Sequence, residues 1–98
     1  MPTWEKDSGF DRDHGRLSPA DVGRLQIAVR KLVEDLNTES KSIRPGLRVK
    51  GVSGHPGVWE LTWAPDGRAT FSFGEPKRPG EAHVIWRRCG GHEIFADP

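Results

Sequence analysis

Basic and imidazole side chains recur along the second half of this 98-residue chain, between Gly46 and Phe95. They are Arg48, Lys50, His55, Arg68, Arg87, Arg88 and His92. Arg offers a planar fork of donors to phosphate and Lys a point charge, while imidazole moves protons near neutral pH. Such a set can bind an RNA backbone and stabilise a pentacoordinate phosphorus. The alternative is a row of solvated charges on an exposed sheet.

His92 is a candidate general acid or base, and with Cys89 it also resembles half of a zinc site. A structural zinc site needs four ligands, and the chain has a single cysteine. A Cys–His nucleophile pair is a further alternative, although two glycines separate the residues and no third residue orients them. We expect no metal and no other cofactor.

Glu60 is predicted to lie on the same side as the cations. It is either a structural partner of Arg68 or Arg48, or a catalytic base. Trp86 and Phe95 are candidates for stacking on a base.

Alternating side chains predict the strands that would carry these residues. Residues 58–64 (VWELTWA) and 68–73 (RATFSF) flank a Pro-Asp-Gly turn and predict a β-hairpin. Residues 47–52 and 82–88 predict two more strands, and residues 3–6 a short first one. Cys89-Gly90-Gly91 is predicted to break the last strand, which continues over residues 92–95. The inward set is predicted to be Trp59, Leu61, Trp63, Ala69, Phe71 and Phe73, and the outward set Arg48, Lys50, Glu60, Thr62, Arg68 and Thr70.

Two helices are predicted before the sheet. Ser18, Pro19 and Asp21 form a helix start, and an apolar stripe extends the helix to about Asn37. Its outer face carries charges four residues apart, Arg30 with Glu34 and Lys31 with Asp35. Residues 10–17 predict a shorter helix. Together these elements predict an α+β domain with the helices on one face of a small, mostly antiparallel sheet.

Length and composition predict a single domain over residues 1–98. The net charge is +1, so a basic surface must come from folding and not from bulk composition. A single cysteine fits a reducing compartment, and no apolar run has the length of a membrane span or signal-peptide core. We therefore expect a cytoplasmic protein without membrane contact.

Three segments, in this order and spacing, resemble a known family: GHPGVWELTW, DGRATF and WRRCGGHEIF. They are similar to the RelE-type toxins of bacterial type II toxin–antitoxin systems (RelE/ParE superfamily), and most to the branch common in high-GC actinobacteria. The resemblance implies a β-α-α-β-β-β fold and a metal-independent endoribonuclease that cuts mRNA in the ribosomal A site by 2′-hydroxyl attack. It also implies a cognate antitoxin, through which the complex would bind operator DNA.

The resemblance implies roles for individual residues. Arg68, His92, Lys50 and Arg88 would be catalytic, with Arg87 as the alternative to Arg88. Arg48, Arg87 and His55 would bind RNA.

The chain departs from the family in two places. It has no tyrosine, so Phe95 can stack near the C-terminus but cannot transfer a proton, and His14-Gly15 lies where a helix would be more regular. A catalytically silent interaction domain of the same fold, binding an antitoxin or a nucleic acid, is therefore the alternative function.

Overall fold

The computed structural model describes residues 2–98, in which two α-helices and two short 3₁₀ helices accompany a five-stranded mixed sheet. The elements in chain order are β1 (Thr3–Lys6), α1 (Ser8–His14), α2 (Pro19–Leu36), η1 (Pro45–Leu47), β2 (Lys50–Gly51), β3 (Trp59–Ala64), β4 (Gly67–Phe73), β5 (His83–Gly90) and η2 (His92–Ala96). The strand order is β1-β5-β4-β3-β2, and only the β1–β5 pair among these residues is parallel. The predicted α+β fold is confirmed.

One face of the sheet, the helix face, packs against both helices. Leu61, Ala69 and Phe71 are fully buried there, as the alternation predicted. The partners from the other elements include Phe10, Leu25, Ala28, Leu32, Leu36 and Trp86. Trp59 and Phe73 share this parity but are 38% and 46% exposed, so their predicted burial is wrong. They begin β3 and end β4, at the open end of the hairpin, where the packed cluster stops.

Helix α2 follows its predicted signals closely. The Ser18 hydroxyl accepts a hydrogen bond from the Asp21 amide at 3.2 Å, and Asn37 ends the helix. The predicted charge pairs on its outer face are wrong. Asp35 is buried and bonded by the Arg44 guanidinium, with Nη2–Oδ1 at 2.8 Å, and Glu34 also pairs with Arg44. Those hydrogen bonds hold the pKa of Asp35 below its usual value.

Two further predicted elements have different bounds in the structure. The first helix begins at Ser8 and ends at His14, because the turn at Gly15 stops it. The predicted strand over residues 47–52 is reduced to Lys50–Gly51, because Pro45 starts a 3₁₀ turn and Arg48 adopts a left-handed φ of 51°.

The last strand does not break at Cys89. Cys89 is buried opposite Ala69, and β5 continues to Gly90. Residues 92–96 then form the 3₁₀ helix η2 and not a continuing strand.

The edge strand β1 is held to β5 by side chains as well as by backbone. The buried His83 ring lies between the Thr3 hydroxyl (Oγ1–Nδ1, 2.7 Å) and the Glu5 carboxylate (Nε2–Oε1, 2.7 Å). His83 thus has a structural place at the edge of the sheet.

Candidate functional site

Three of the predicted cations, Lys50, Arg68 and Arg88, occupy strand positions on the sheet face opposite the helices, the polar face. Strand pairing aligns Lys50, Glu60, Thr70 and Arg88 in one row across β2, β3, β4 and β5. Thr62, Arg68 and Gly90 form the next row. Because directly paired residues project to the same side, the outward parity predicted for Lys50, Glu60, Thr62, Arg68 and Thr70 is confirmed.

Helix η2 lies over one end of the polar face. A Cβ placed on Gly90, in the row of Arg68, would lie 3.1 Å from Ile94 Cγ2. Ile94 is buried but lies outside the cluster beneath the helices. The segment that carries His92 therefore packs on the polar face.

Arg88 is engaged in a buried ion pair with α1. Its Nε donates to Asp13 Oδ2 at 2.6 Å and its Nη1 to the Asp97 carbonyl at 2.9 Å. Asp13 is buried and also accepts from the Cys89 amide. Burial raises the pKa of Asp13, but the bonds from Arg88 and Cys89 outweigh it and hold that pKa below the ordinary value.

Asp13 was not among the predicted functional residues. It lies 75 positions before Arg88. No local pattern could have linked two residues that far apart.

Arg87 occupies a β-bulge. The register shifts between Thr70 and Phe71, which leaves Arg87 as the extra residue of β5. Its guanidinium donates to the Pro98 carbonyl at 3.2 and 3.3 Å. Arg87 and Arg88 thus both hold the segment after η2 against the sheet.

Arg68 is anchored at the β3–β4 turn. Its Nη1 donates to the carbonyl oxygens of Ala64, Pro65 and Gly67 at 2.9 to 3.2 Å. These bonds leave Nε and Nη2 for other acceptors, because only Nη1 takes part in them. The side chain, which was predicted to face outward, is half-buried.

Lys50, Arg48, His55 and His92 are all exposed. The Lys50 ammonium lies 3.9 Å from Glu60 Oε1. Glu60 therefore faces Lys50 and neither of its predicted partners, Arg48 and Arg68. His55 lies in the turn between β2 and β3, and the His92 ring contacts the Phe95 ring edge-on at 5.6 Å.

Cys89 is buried. Its Sγ lies 3.9 Å from the Phe10 carbonyl oxygen in the layer beneath the helices. Burial, with the Asp13 charge nearby, raises the pKa of the Cys89 thiol to about 12. A thiol in this state is a poor nucleophile and a poor metal ligand at neutral pH.

Within the described part of the chain, no three His, Cys, Asp or Glu side chains are grouped to hold a metal ion. No helix between residues 2 and 98 combines the length and apolar character needed to cross a membrane.

No protein-family model matches the chain, and no curated protein matches it. Solved structures of three toxins are similar to it over nearly their whole length. YafQ from E. coli strain BL21(DE3) has a TM-score of 0.71 at 14% identity, with 97% of this chain and 98% of that chain covered. The YoeB/ParE toxin from Agrobacterium tumefaciens has a TM-score of 0.65 at 12% identity, with coverage of 92% and 98%.

The third structure is an antitoxin–toxin complex, RelB–RelE from Methanococcus jannaschii. It has a TM-score of 0.62 at 13% identity, and 94% of each chain is covered. At these identities the similarity shows the architecture. The chain therefore has the fold of the YafQ, YoeB/ParE and RelE toxins, as the sequence resemblance implied.

Proposed function

We propose that the protein is the toxin of a type II toxin–antitoxin system and cleaves mRNA on the bacterial ribosome as a metal-independent endoribonuclease. Translation would stop as a result, and the protein would act in the cytoplasm. The main support is the polar face of the sheet. Lys50 and Arg88 lie in one row of paired residues and Arg68 in the next, and η2 brings His92 to the same side. The toxin fold supports the same proposal.

We base the proposed roles on the exposure of each cation and on the hydrogen-bond donors that it has left. Lys50 is exposed and can move to a phosphate, while Arg68 can offer its remaining donors to the charge that develops on phosphorus. His92 is exposed and can pass a proton to the departing 5′-oxygen. Arg88 is proposed to contribute charge while it stays bound to Asp13. Arg48, His55 and Arg87 would hold the neighbouring phosphates.

A protein partner is part of the proposal. The M. jannaschii RelE structure is a complex with its antitoxin RelB. By analogy we propose that a cognate antitoxin binds this chain and suppresses its activity, and that operator DNA is contacted only through that antitoxin.

One observation favours the alternative of a silent interaction domain. Arg88 is committed to Asp13, and Arg68 already donates to three turn carbonyls. With the tyrosine of the family also absent, such a domain would bind an antitoxin or a nucleic acid and cleave nothing.

Inducible expression in a bacterium separates the two functions. Wild type would be compared with the double variant Arg68→Ala/His92→Ala and with Arg78→Ala, a control in the exposed loop before β5. Growth arrest by wild type and the control only, with new mRNA 5′ ends inside reading frames, would support the ribonuclease. Harmless wild type that is folded and abundant would support the silent domain.

A further inference from the structure

A groove with a volume of about 440 Å³ lies between β1 and the two α-helices, on the side of the sheet that the helices cover. We call it the helix groove. Its apolar lining consists of Trp4, Phe10, Leu25, Val29, Val33 and Trp86. Phe10, Leu25 and Trp86 are buried and belong to the core, so the floor of the groove is fixed by packing.

The walls of the helix groove expose apolar side chains to solvent. Trp4 is 60% exposed, more than any other large hydrophobic side chain among residues 2–98. Val29 and Val33 lie one turn apart on α2 and are only half-buried. Apolar surface that stays in water does not stabilise the fold, and a patch of it with a polar rim is typical of a protein-binding site.

The shape of the walls favours a helix as the bound segment. Helix α2 lines the groove from Leu25 to Val33, which is about 12 Å or two helical turns. The backbone of α2 is bonded within the helix, so this wall offers only side chains to a partner. An extended segment would leave its own backbone groups unpaired against it, whereas a helix satisfies them internally. An amphipathic helix with its apolar face in the groove meets both conditions.

The rim of the helix groove is basic. The ionisable side chains that line it within residues 2–98 are Lys6, His14 and Arg30, and no carboxylate is among them. Arg30 is exposed. Lys6 pairs with Asp11 at 3.1 Å, but both side chains are open to solvent, so the pair is weak. A partner with Asp or Glu beside its apolar face therefore complements this rim.

A second copy of this chain fits the groove poorly. A two-fold interface built on this patch uses the same patch on both copies. Lys6 and Arg30 of the two copies would then lie together, and like charges across an interface oppose association. The basic rim thus favours a different, acidic chain.

We propose that the helix groove binds an amphipathic helix of the cognate antitoxin, with carboxylates beside its apolar face, and that this leaves the polar face open to RNA. The inference rests on the proposed toxin–antitoxin function and names the surface that the partner uses. Lys50 and Arg68 lie on the opposite side of the sheet from α2. A helix held by the groove alone therefore does not contact the side chains that are proposed to act on RNA.

The probe is the purified protein encoded by the gene next to that of this chain, and its Kd is measured by titration calorimetry. Val29→Glu should raise that Kd by about 100-fold, because it places a carboxylate in the apolar wall against an acidic helix. Trp4→Ala and Arg30→Glu should each raise it by about 10-fold. Ile27→Glu makes the same kind of change on α2 at an exposed position outside the helix groove, and it should match wild type.

Two further measurements separate this surface from the proposed RNA site. Val29→Glu co-expressed with the partner should arrest growth as wild type does alone, because the polar face is unchanged. A labelled RNA oligonucleotide should bind the purified complex with the same Kd as the free chain.

The opposite results are equally specific. Equal Kd values for wild type, Trp4→Ala and Val29→Glu would overturn the groove as the binding surface, while relief of growth arrest by the partner would keep the proposed function. Loss of RNA binding in the complex would overturn the open polar face. If Val29→Glu does not fold, Trp4→Ala and Arg30→Glu decide the question, because both side chains are exposed. A neighbouring protein that neither binds the chain nor relieves its toxicity would remove the antitoxin from the proposed function, and this inference with it.

Discussion

Both faces of the sheet contain buried residues, but the buried groups differ in kind. On the helix face, Leu61 and Phe71 present hydrocarbon to α1 and α2. On the polar face, Glu60 and Thr70 are also buried, and the Thr70 hydroxyl lacks a hydrogen bond. Burial of hydrocarbon stabilises the fold, whereas burial of unpaired polar atoms opposes it. The helix face therefore supplies the stability that the polar face gives up.

The largest effect on stability is expected on the helix face. Phe71→Ala removes a fully buried ring that contacts Trp86 with ring centroids 5.4 Å apart. The free energy of unfolding should fall by about 3–5 kcal/mol because a cavity replaces the ring. Urea denaturation measures this change, and Phe73→Ala, at the exposed end of the same strand, is the control. Equal losses for the two variants would contradict the boundary drawn for the core.

Asp13→Asn tests the ion pair that links the polar face to α1. It should lower the free energy of unfolding by roughly 3 kcal/mol, because Arg88 would be left half-buried without its anionic partner. The exposed Asp11→Asn on the same helix should have little effect.

The same ion pair should make stability depend on pH. The native pKa of Asp13 is lowered, so its contribution is fully present above the ordinary carboxyl pKa of about 3.9 and is lost as pH falls through the native value. The stability gap between wild type and Asp13→Asn should thus be constant near neutrality and close below about pH 4. A gap that stays constant down to pH 2 would mean that the Asp13 charge contributes nothing.

Arg68→Ala separates anchoring from catalysis. Loss of one transition-state donor should lower cleavage by about 100-fold, and loss of the turn bonds should cost about 1 kcal/mol. Arg68→Lys keeps the charge but not the fork of donors, so it should restore only part of either quantity. Cleavage is measured in vitro with purified protein, and the free energy of unfolding is measured by urea denaturation. Full activity of purified Arg68→Ala would leave Arg68 with its structural role alone.

Sequence periodicity predicted the parts of this fold that depend on neighbouring residues. Helix α2, its Ser18 cap and the alternation of the β3–β4 hairpin are local patterns and were confirmed. The row of Lys50, Glu60 and Thr70 follows from that alternation once strand register is known.

Contacts between distant residues were not predictable. Asp13 meets Arg88 across 75 positions, and Asp35 meets Arg44 across a loop. The placement of η2 over the polar face depends on Ile94, and no periodic pattern in the sequence predicted that Ile94 is buried. Alternation predicted that Glu60 and Thr70 face outward, but only the packed structure shows that they are buried.

Thr70→Val tests the contrast between the two faces with the smallest expected effect. Valine has nearly the shape of threonine and replaces the unpartnered hydroxyl with a methyl group, so the free energy of unfolding should rise by about 1 kcal/mol. Thr62→Val, on the same face but half-buried, should change it less.

If Thr70 only fills space, Thr70→Val should keep wild-type cleavage. If its hydroxyl takes part in the reaction, the stabler variant should cleave less, while Thr62→Val keeps wild-type cleavage. A drop in both stability and cleavage would show that the hydroxyl has a partner in solution. The polar face would then not be the place where stability is given up.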